Sequence, residues 1–479
     1  MKEQYNDGFF NISGSHGFLP SHNYDLDLPT KFKPLIELCD ALPILKKENR
    51  FGILHYPNLI CEKVKDLPNL ISQVNEINQL TDNSLRMYYL QMLFRYYSFL
   101  TSSYCLEPTY NSYIKDKSYA KARNIIPQNI AEPYYKVAEL LDCFPWLEYH
   151  YSYGLGNFKI LNHKEDFNYE LEDIQVKSLF CGDLDEINFI KVHILINLYT
   201  PQLIDNLFNV LNQVKEKNAY QTIQSLQNMY HCVQKINEKR KLMWKNSNCD
   251  RYGSYRIFLM GQEGNDKIFD DGLLYENVNE TRLKFRGETG AQDDIIPTLD
   301  IFTGIIKYYP DNILTKYLEN LRNYRPNIII EFLNDLEKDS VNLKEEIFNV
   351  CNLKGLIYYL AIINEIYLFR NGHWQFVQTY IMKNTNYNVA TGGTPLNMWL
   401  PNQIDSCLKC MDDIFTQFDE SKLVDNDLEE KDIQLLSKMK IEQNRKKRLL
   451  ESQLNELKKQ SSNLQNVINL NKELNENPN

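Results

Sequence analysis

Two histidines stand where an imidazole could bind a metal. His373 lies in YLFRNGHWQFVQTYI, where Ile366, Phe369, His373, Phe376 and Tyr380 step by 3, 4, 3 and 4. That spacing is one apolar face of a helix. His193 lies in DEINFIKVHILINLY, with Phe189, Ile196 and Thr200 on the same helical face. A neutral imidazole held on such a face is how a helical protein presents an axial ligand to haem iron. Two core histidines would show the same periodicity, so spacing alone leaves both readings open. Arg370, three residues before His373, falls near the same face and suits an anionic group at a cofactor's edge. Arg256, in RYGSYRIFLMG, is a charge among apolar neighbours. It is either a buried salt-bridge partner or a clamp for a substrate carboxylate.

Two glycine-rich loops accompany these residues. FRGETGAQDD (285–294) sets Gly287 and Gly290 around Glu288 and Thr289, ahead of a helix from Ile295. ATGGTPLNMWL (390–400) places Thr391, Gly392, Gly393 and Thr394 before another helical pattern. Turns of this kind point backbone N–H groups at an anion, or simply connect and cap helices. Neither has a Walker or Rossmann spacing and neither follows a strand pattern, which argues against a nucleotide site.

The elements that must position these groups read as helices. Apolar residues recur at helical spacing over 84–104, 203–239, 312–337 and 344–383. Strand-like alternation is rare, so the expected class is all-α. An acidic irregular stretch, 160–184, marks a domain boundary, with Asp185 a candidate cap for the helix that follows. The region 246–300 holds the largest concentration of glycine, which implies tight turns and close backbone approach. From about residue 421 aromatics and glycine vanish. Leu450, Leu454, Leu457, Leu464 and Ile468 then form a short heptad-like series. The expectation there is a solvated helix, frayed at its end, with weak self-association or a partner helix as the alternative.

Composition narrows the classes of function. The 479 residues carry 53 basic and 63 acidic side chains, a net charge of −10, which argues against a uniformly basic nucleic-acid surface. No uninterrupted apolar run reaches the ~18–20 residues of a bilayer span, and the N-terminus lacks signal-peptide character. A soluble cytoplasmic chain with no membrane and no nucleic-acid partner is expected. The ten cysteines read as reduced thiols. Cys407 and Cys410 form a CxxC pair without a second pair or nearby histidine, and are read as structural.

In combination, four segments carry a resemblance: RIFLMGQEGNDKIFDDGLLYE, FRGETGAQ, LFRNGHWQFVQTYI and TGGT, in that order. Together with GFLP, RYYSFLTSSY and NIIPQNIAEPYYKVAELL upstream, the chain resembles the indoleamine 2,3-dioxygenase family from about Gly17 to about Asp413. The resemblance implies an all-α haem protein. A small helical domain (1–177) would roof a large haem-binding domain (178–420), with a polar, partly disordered helical tail (421–479) appended. It implies one haem b per chain with His373 as proximal iron ligand, Arg370 toward a propionate, and Asp300 holding that arginine. Thr289 and Gly290 would meet the haem and line the pocket. Arg256 would pair with the amino-acid carboxylate, Phe189 would wall the indole, and Thr391 would lie in a loop closing over substrate.

The implied reaction inserts both atoms of O₂ across the indole C2–C3 bond of L-tryptophan, giving N-formylkynurenine at the head of the kynurenine pathway. Some positions depart from the family pattern. His193 replaces a common serine and is similar to the distal histidine of tryptophan 2,3-dioxygenases; it would touch the indole N–H, O₂ or the iron. Arg251 and Tyr252 stand where two phenylalanines are common, and Tyr153 where a cysteine is, which bears on substrate range. Arg251 is expected to point outward. The alternative function is a haem-binding relative acting on another indole, or an inactive one serving as haem sensor or interaction protein. A monomer is expected, with any self-association through the tail.

Overall fold

The structure is a computed structural model. It describes the chain except residues 3, 22–25, 47–49, 165–167, 383–390, 392–395, 419–427 and 477–479, and the side chains of 313–314, 396–399 and 456–476. The fold is all-α. Among the described residues, strands form three two-stranded ladders. Helix α1 (Asn83–Asp116) starts at Asp82, whose carboxylate accepts the Leu85 N–H at 3.1 Å. Helix α2 (Gln128–Leu140) and the turn Tyr149–Tyr153 pack on it.

Helix α3 (Leu184–Asn197) carries Phe189 and His193. Its cap is Asp183, two residues before the expected Asp185, and it accepts the Glu186 N–H at 2.9 Å. The Glu186 carboxylate turns back to take the N–H groups of Phe180, Cys181 and Gly182 at 2.8, 2.7 and 2.8 Å. Together these bonds anchor the start of the helix that presents His193.

Periodicity across 203–239 suggests one helix, but the structure has two, α4 (Thr200–Lys215) and α5 (Ala219–Arg240). Lys217 turns the chain at φ +57° and Asn218 caps α5 through the Gln221 N–H at 3.2 Å. The two stripes face each other, so the pattern continues across a reversal of direction. After the short α6 (Cys249–Arg256) and α7 (Ile295–Phe302), the stretch 312–337 divides into α8 (Ile313–Arg322) and α9 (Asn327–Asp339). Pro326 enforces that break, having no N–H to continue a helix.

Helix α10 (Leu343–Phe376), interrupted at Asn352 with φ +52°, carries Arg370 and His373 and runs on as a π-helical turn, Val377–Met382. By length and hydropathy Leu343–Met382 would suffice for a bilayer span; 67% of that apolar window is buried inside the protein instead. It packs between α5 and α11 (Leu396–Phe415).

The tail departs from the solvated helix expected of it. Helix α12 (Glu430–Glu476) docks its first half on α10 and α11, burying Leu436, Met439 and Leu450. Tyr358 donates to Asp432 at 2.5 Å, and the Gln443 amide donates to the Leu408 carbonyl and Asp412, both at 3.0 Å. Its anchoring groups are largely polar, which made the segment look solvent-facing. The side chains of Leu457, Leu464 and Ile468, and hence the heptad series, lie outside the described residues.

Candidate functional site

Two adjoining cavities open between α3, α5, α6, α10 and the loop before α7. His373 lines both. Phe189, His193, Tyr252, Arg256, Thr289, Gly290 and Thr391 share the first, and Asp300, Arg370 and Gly290 the second. Residues spread over more than 200 positions are thus brought to one space.

The two imidazoles are alike in electrostatics. Burial lowers the pKa of each to about 4, assisted at His373 by the charges of Arg240 and His193. Both are therefore neutral at pH 7, the form that binds a metal or accepts a hydrogen bond. The His193 ring lies 5.0 Å from Phe189 and 5.9 Å from Tyr149, and its Nδ1 is buried with no hydrogen-bond partner. A Cβ on Gly290 would come within 3.4 Å of His193 Cε1. A methyl group there would only touch the imidazole, while anything longer would enter the space beside it.

Arg370 is locked in place. Its guanidinium bonds Asp300, Tyr309 Oη at 2.9 Å, Gln403 Oε1 at 2.8 Å and Cys407 Sγ at 2.9 Å. Tyr309 also donates to Asp300 at 2.5 Å. Burial raises the Asp300 pKa, and Arg370 and the Tyr309 hydrogen bond work against that rise. Its Oδ1 is buried without a partner. The CxxC pair has structural contacts here, Cys407 on Arg370 and Cys410 on the Thr303 carbonyl at 3.9 Å.

The glycine cluster packs backbone on backbone. A Cβ on Gly287 would fall 2.2 Å from Gly261 N and from Leu259 O, and 2.7 Å from Thr391 O. Gly261 N donates to Thr391 O at 3.1 Å. Three segments therefore meet at the cavity rim where only glycine fits. Thr289 spends its hydroxyl and N–H on a capping box with Ala291 and Gln292, at 3.4 and 3.3 Å. Gly392, Gly393 and Thr394 lie outside the described residues.

Two expected positions are elsewhere. Tyr153 does not line either cavity; its ring stacks between Phe99 (6.0 Å) and Phe180 (6.1 Å), because that aromatic layer offers it more contact. Arg251 is exposed, as anticipated, while Tyr252 is buried against Phe189 at 5.5 Å. Among the cavity residues given no role from sequence are three charged ones, Asp293, Arg240 and Glu288. Asp293 accepts from Tyr149 and Asn197, both at 2.7 Å. Arg240 lies over the Phe369 ring at 5.0 Å, and burial lowers its pKa to about 10, leaving it charged. Its basic run, NEKRK, looks like an ordinary solvated helix end. Glu288 is buried at the cavity wall, and its only sequence signal was the glycine-flanked turn.

A buried ionic network fixes the loop beneath the cavity. His150 Nε2 lies 2.8 Å from Asp294 Oδ2, and Arg325 Nε 2.6 Å from Oδ1. Burial opposes protonation of His150, but the charge and hydrogen bond of Asp294, with Glu148, outweigh it and raise the pKa to about 9. Since the folded value exceeds the unfolded ~6.5, this stabilisation is complete below pH 6.5 and is lost as pH rises through 9. We predict that His150→Phe destabilises the protein by about 3–5 kcal/mol at pH 6, because it leaves Asp294 and Arg325 unbalanced. The deficit should shrink by pH 9.5. Urea denaturation at both pH values checks this; a deficit independent of pH would contradict it.

The model of the family described as indoleamine 2,3-dioxygenase matches residues 7–399. The chain belongs to the indoleamine 2,3-dioxygenase family. It is 26% identical over 418 residues to indoleamine 2,3-dioxygenase 1 of Rattus norvegicus, covering 84% of this chain and 95% of that protein. It is 27% identical over 382 residues to indoleamine 2,3-dioxygenase 1 of Mus musculus, covering 79% and 88%. Against indoleamine 2,3-dioxygenase of Saccharomyces cerevisiae the identity is 24% over 357 residues, covering 68% and 74%. Most of α11 and all of α12 lie beyond the matched family region.

The residues present fit the haem that this family implies. A neutral imidazole, His373, borders both cavities, with Val192, Ile196, Phe369 and Phe376 lining the first and Arg370 the second. Apolar walls, an axial nitrogen and a rim cation are what a porphyrin with carboxylate arms requires.

Proposed function

We propose that this chain is a haem-dependent dioxygenase that cleaves the indole ring of L-tryptophan to N-formylkynurenine. The observation that supports this best is one cavity shared by His373, His193, Arg256 and aromatic walls. Haem, when bound, would supply the iron at which O₂ is activated. His373 would be its axial ligand and Arg370 would hold a propionate, with haem b at one per chain.

The remaining roles belong to the substrate side. Arg256, buried and charged, binds the amino-acid carboxylate. Phe189 and Tyr252 flank the indole ring, and Gly290 leaves room for it. His193 is neutral with a vacant buried Nδ1, so it accepts the indole N–H hydrogen bond. Holding an electron-rich ring at fixed distance and angle is the chain's main contribution to rate. Thr391, at the rim, helps exclude water when substrate is seated. Tyr153 stiffens the aromatic layer behind the pocket without touching substrate.

The reading is tested by incubating reduced, haemin-supplied protein aerobically with L-tryptophan and identifying the product by mass. N-formylkynurenine supports it; unconverted tryptophan or a singly hydroxylated product refutes it. Replacing His193 by Ser should lower kcat/KM about two- to tenfold, the worth of one neutral hydrogen bond. Unchanged kinetics would remove His193 from the mechanism.

A further inference from the structure

Glu288 is the least explained group in the site. It is 4% exposed and lines the cavity with Arg256 and His193. Among the described residues its carboxylate has no hydrogen bond and no ion pair. Burial, helped by the charge of Glu148, raises its pKa to about 8. A buried carboxylate without a partner is costly and persists where something outside the chain completes it.

The backbone holds it deliberately. On one side Gly287 is wedged against Gly261, Leu259 and Thr391, and on the other Thr289 closes a capping box. Two fixed flanks leave Glu288 little freedom except to project into the cavity. Tyr252 reports its position relative to Arg256: its hydroxyl bonds Arg256, and the Glu288 carboxylate raises its pKa from nearby. One acidic and one basic group thus border the same aromatic wall without forming an ion pair to each other.

We propose that Glu288 is the acceptor for the α-ammonium group of the substrate. With Arg256 on the carboxylate, the site then recognises the zwitterionic head of an amino acid, and its substrate class is indole amino acids rather than free indoles or amines. This rests on the tryptophan-cleaving reading above. The ammonium supplies the counter-charge that the chain withholds, so the carboxylate is ionised when substrate is bound.

The test compares three probes on the haem-loaded protein by calorimetry: L-tryptophan, indole-3-propionate, which lacks the amine, and tryptamine, which lacks the carboxylate. Glu288→Gln, nearly isosteric, should weaken L-tryptophan and tryptamine about tenfold or more, the loss of a charge-assisted hydrogen bond. Indole-3-propionate should bind Glu288→Gln as well as the wild type. Arg256→Leu should show the opposite selectivity, weakening L-tryptophan and indole-3-propionate but not tryptamine. If Glu288→Gln affects all three probes alike, or none, the assignment is wrong while tryptophan recognition stands. If wild-type protein binds neither L-tryptophan nor indole-3-propionate, the tryptophan reading itself fails and the assignment with it. Glu288→Asp, which keeps the charge, should retain part of the discrimination between L-tryptophan and indole-3-propionate; equal loss in Asp and Gln variants would indicate a packing role and overturn the proposal.

Discussion

Replacing His373 by Ala is expected to abolish haem retention while leaving the helices intact. Purified wild type supplied with haemin should hold one haem per chain by absorbance, and the variant close to none. The expectation follows from placement: His373 lines both cavities on the end of α10, with burial keeping its ring neutral. No other histidine but His193 lines these cavities among the described residues. Its ring borders the cavity, so the substitution removes a wall group rather than a packed core side chain, and far-UV circular dichroism should not change. Added imidazole should restore binding. A variant retaining full haem would transfer the ligand role elsewhere, with His193 the first candidate.

The second large effect is expected at Arg256. Arg256→Leu should lower kcat/KM for L-tryptophan about thirtyfold or more, mainly through KM, since truncating one partner of a buried charge pair costs about 2–5 kcal/mol. Haem content should be unaffected, because the role proposed for Arg256 is on the substrate carboxylate and not on the haem. Steady-state kinetics alongside haem absorbance separates the two roles. A fall in kcat at constant KM would instead place Arg256 in the reacting geometry rather than in ground-state binding.

Much of the fold was legible because its helices are long and amphipathic. The errors have physical causes. The reversals at Lys217 and Pro326 were hidden because apolar stripes on successive helices continue the same periodicity. The first half of α12 looked solvated because Asp432, Gln443 and Lys446 are polar, yet all three are buried on α10 and α11. For the site, spacing alone could not tell a ligand histidine from a core histidine. The family resemblance assigns His373 the ligand role, and the fold brings Arg256, Arg370, Asp300, Gly290 and Thr391 to the cavities it lines. Tyr153 shows the limit of carrying a position over: a larger ring in an aromatic layer packs into that layer, not into the cavity. Glu288 and Arg240 were missed for a related reason. A charge in sequence reads as solvent-facing, and only the fold shows it buried.

Two of the departures from the family pattern, His193 and Tyr252, line the first cavity, whereas the Arg370–Asp300 pair sits in the second.

The most direct test of the central claim is the fate of oxygen. Reduced, haem-loaded protein should be supplied with L-tryptophan under ¹⁸O₂ in ordinary water, and the product analysed at once by mass spectrometry. The account predicts N-formylkynurenine carrying both labelled atoms. A product with one label, or with oxygen drawn from water, would contradict dioxygenase chemistry at this site.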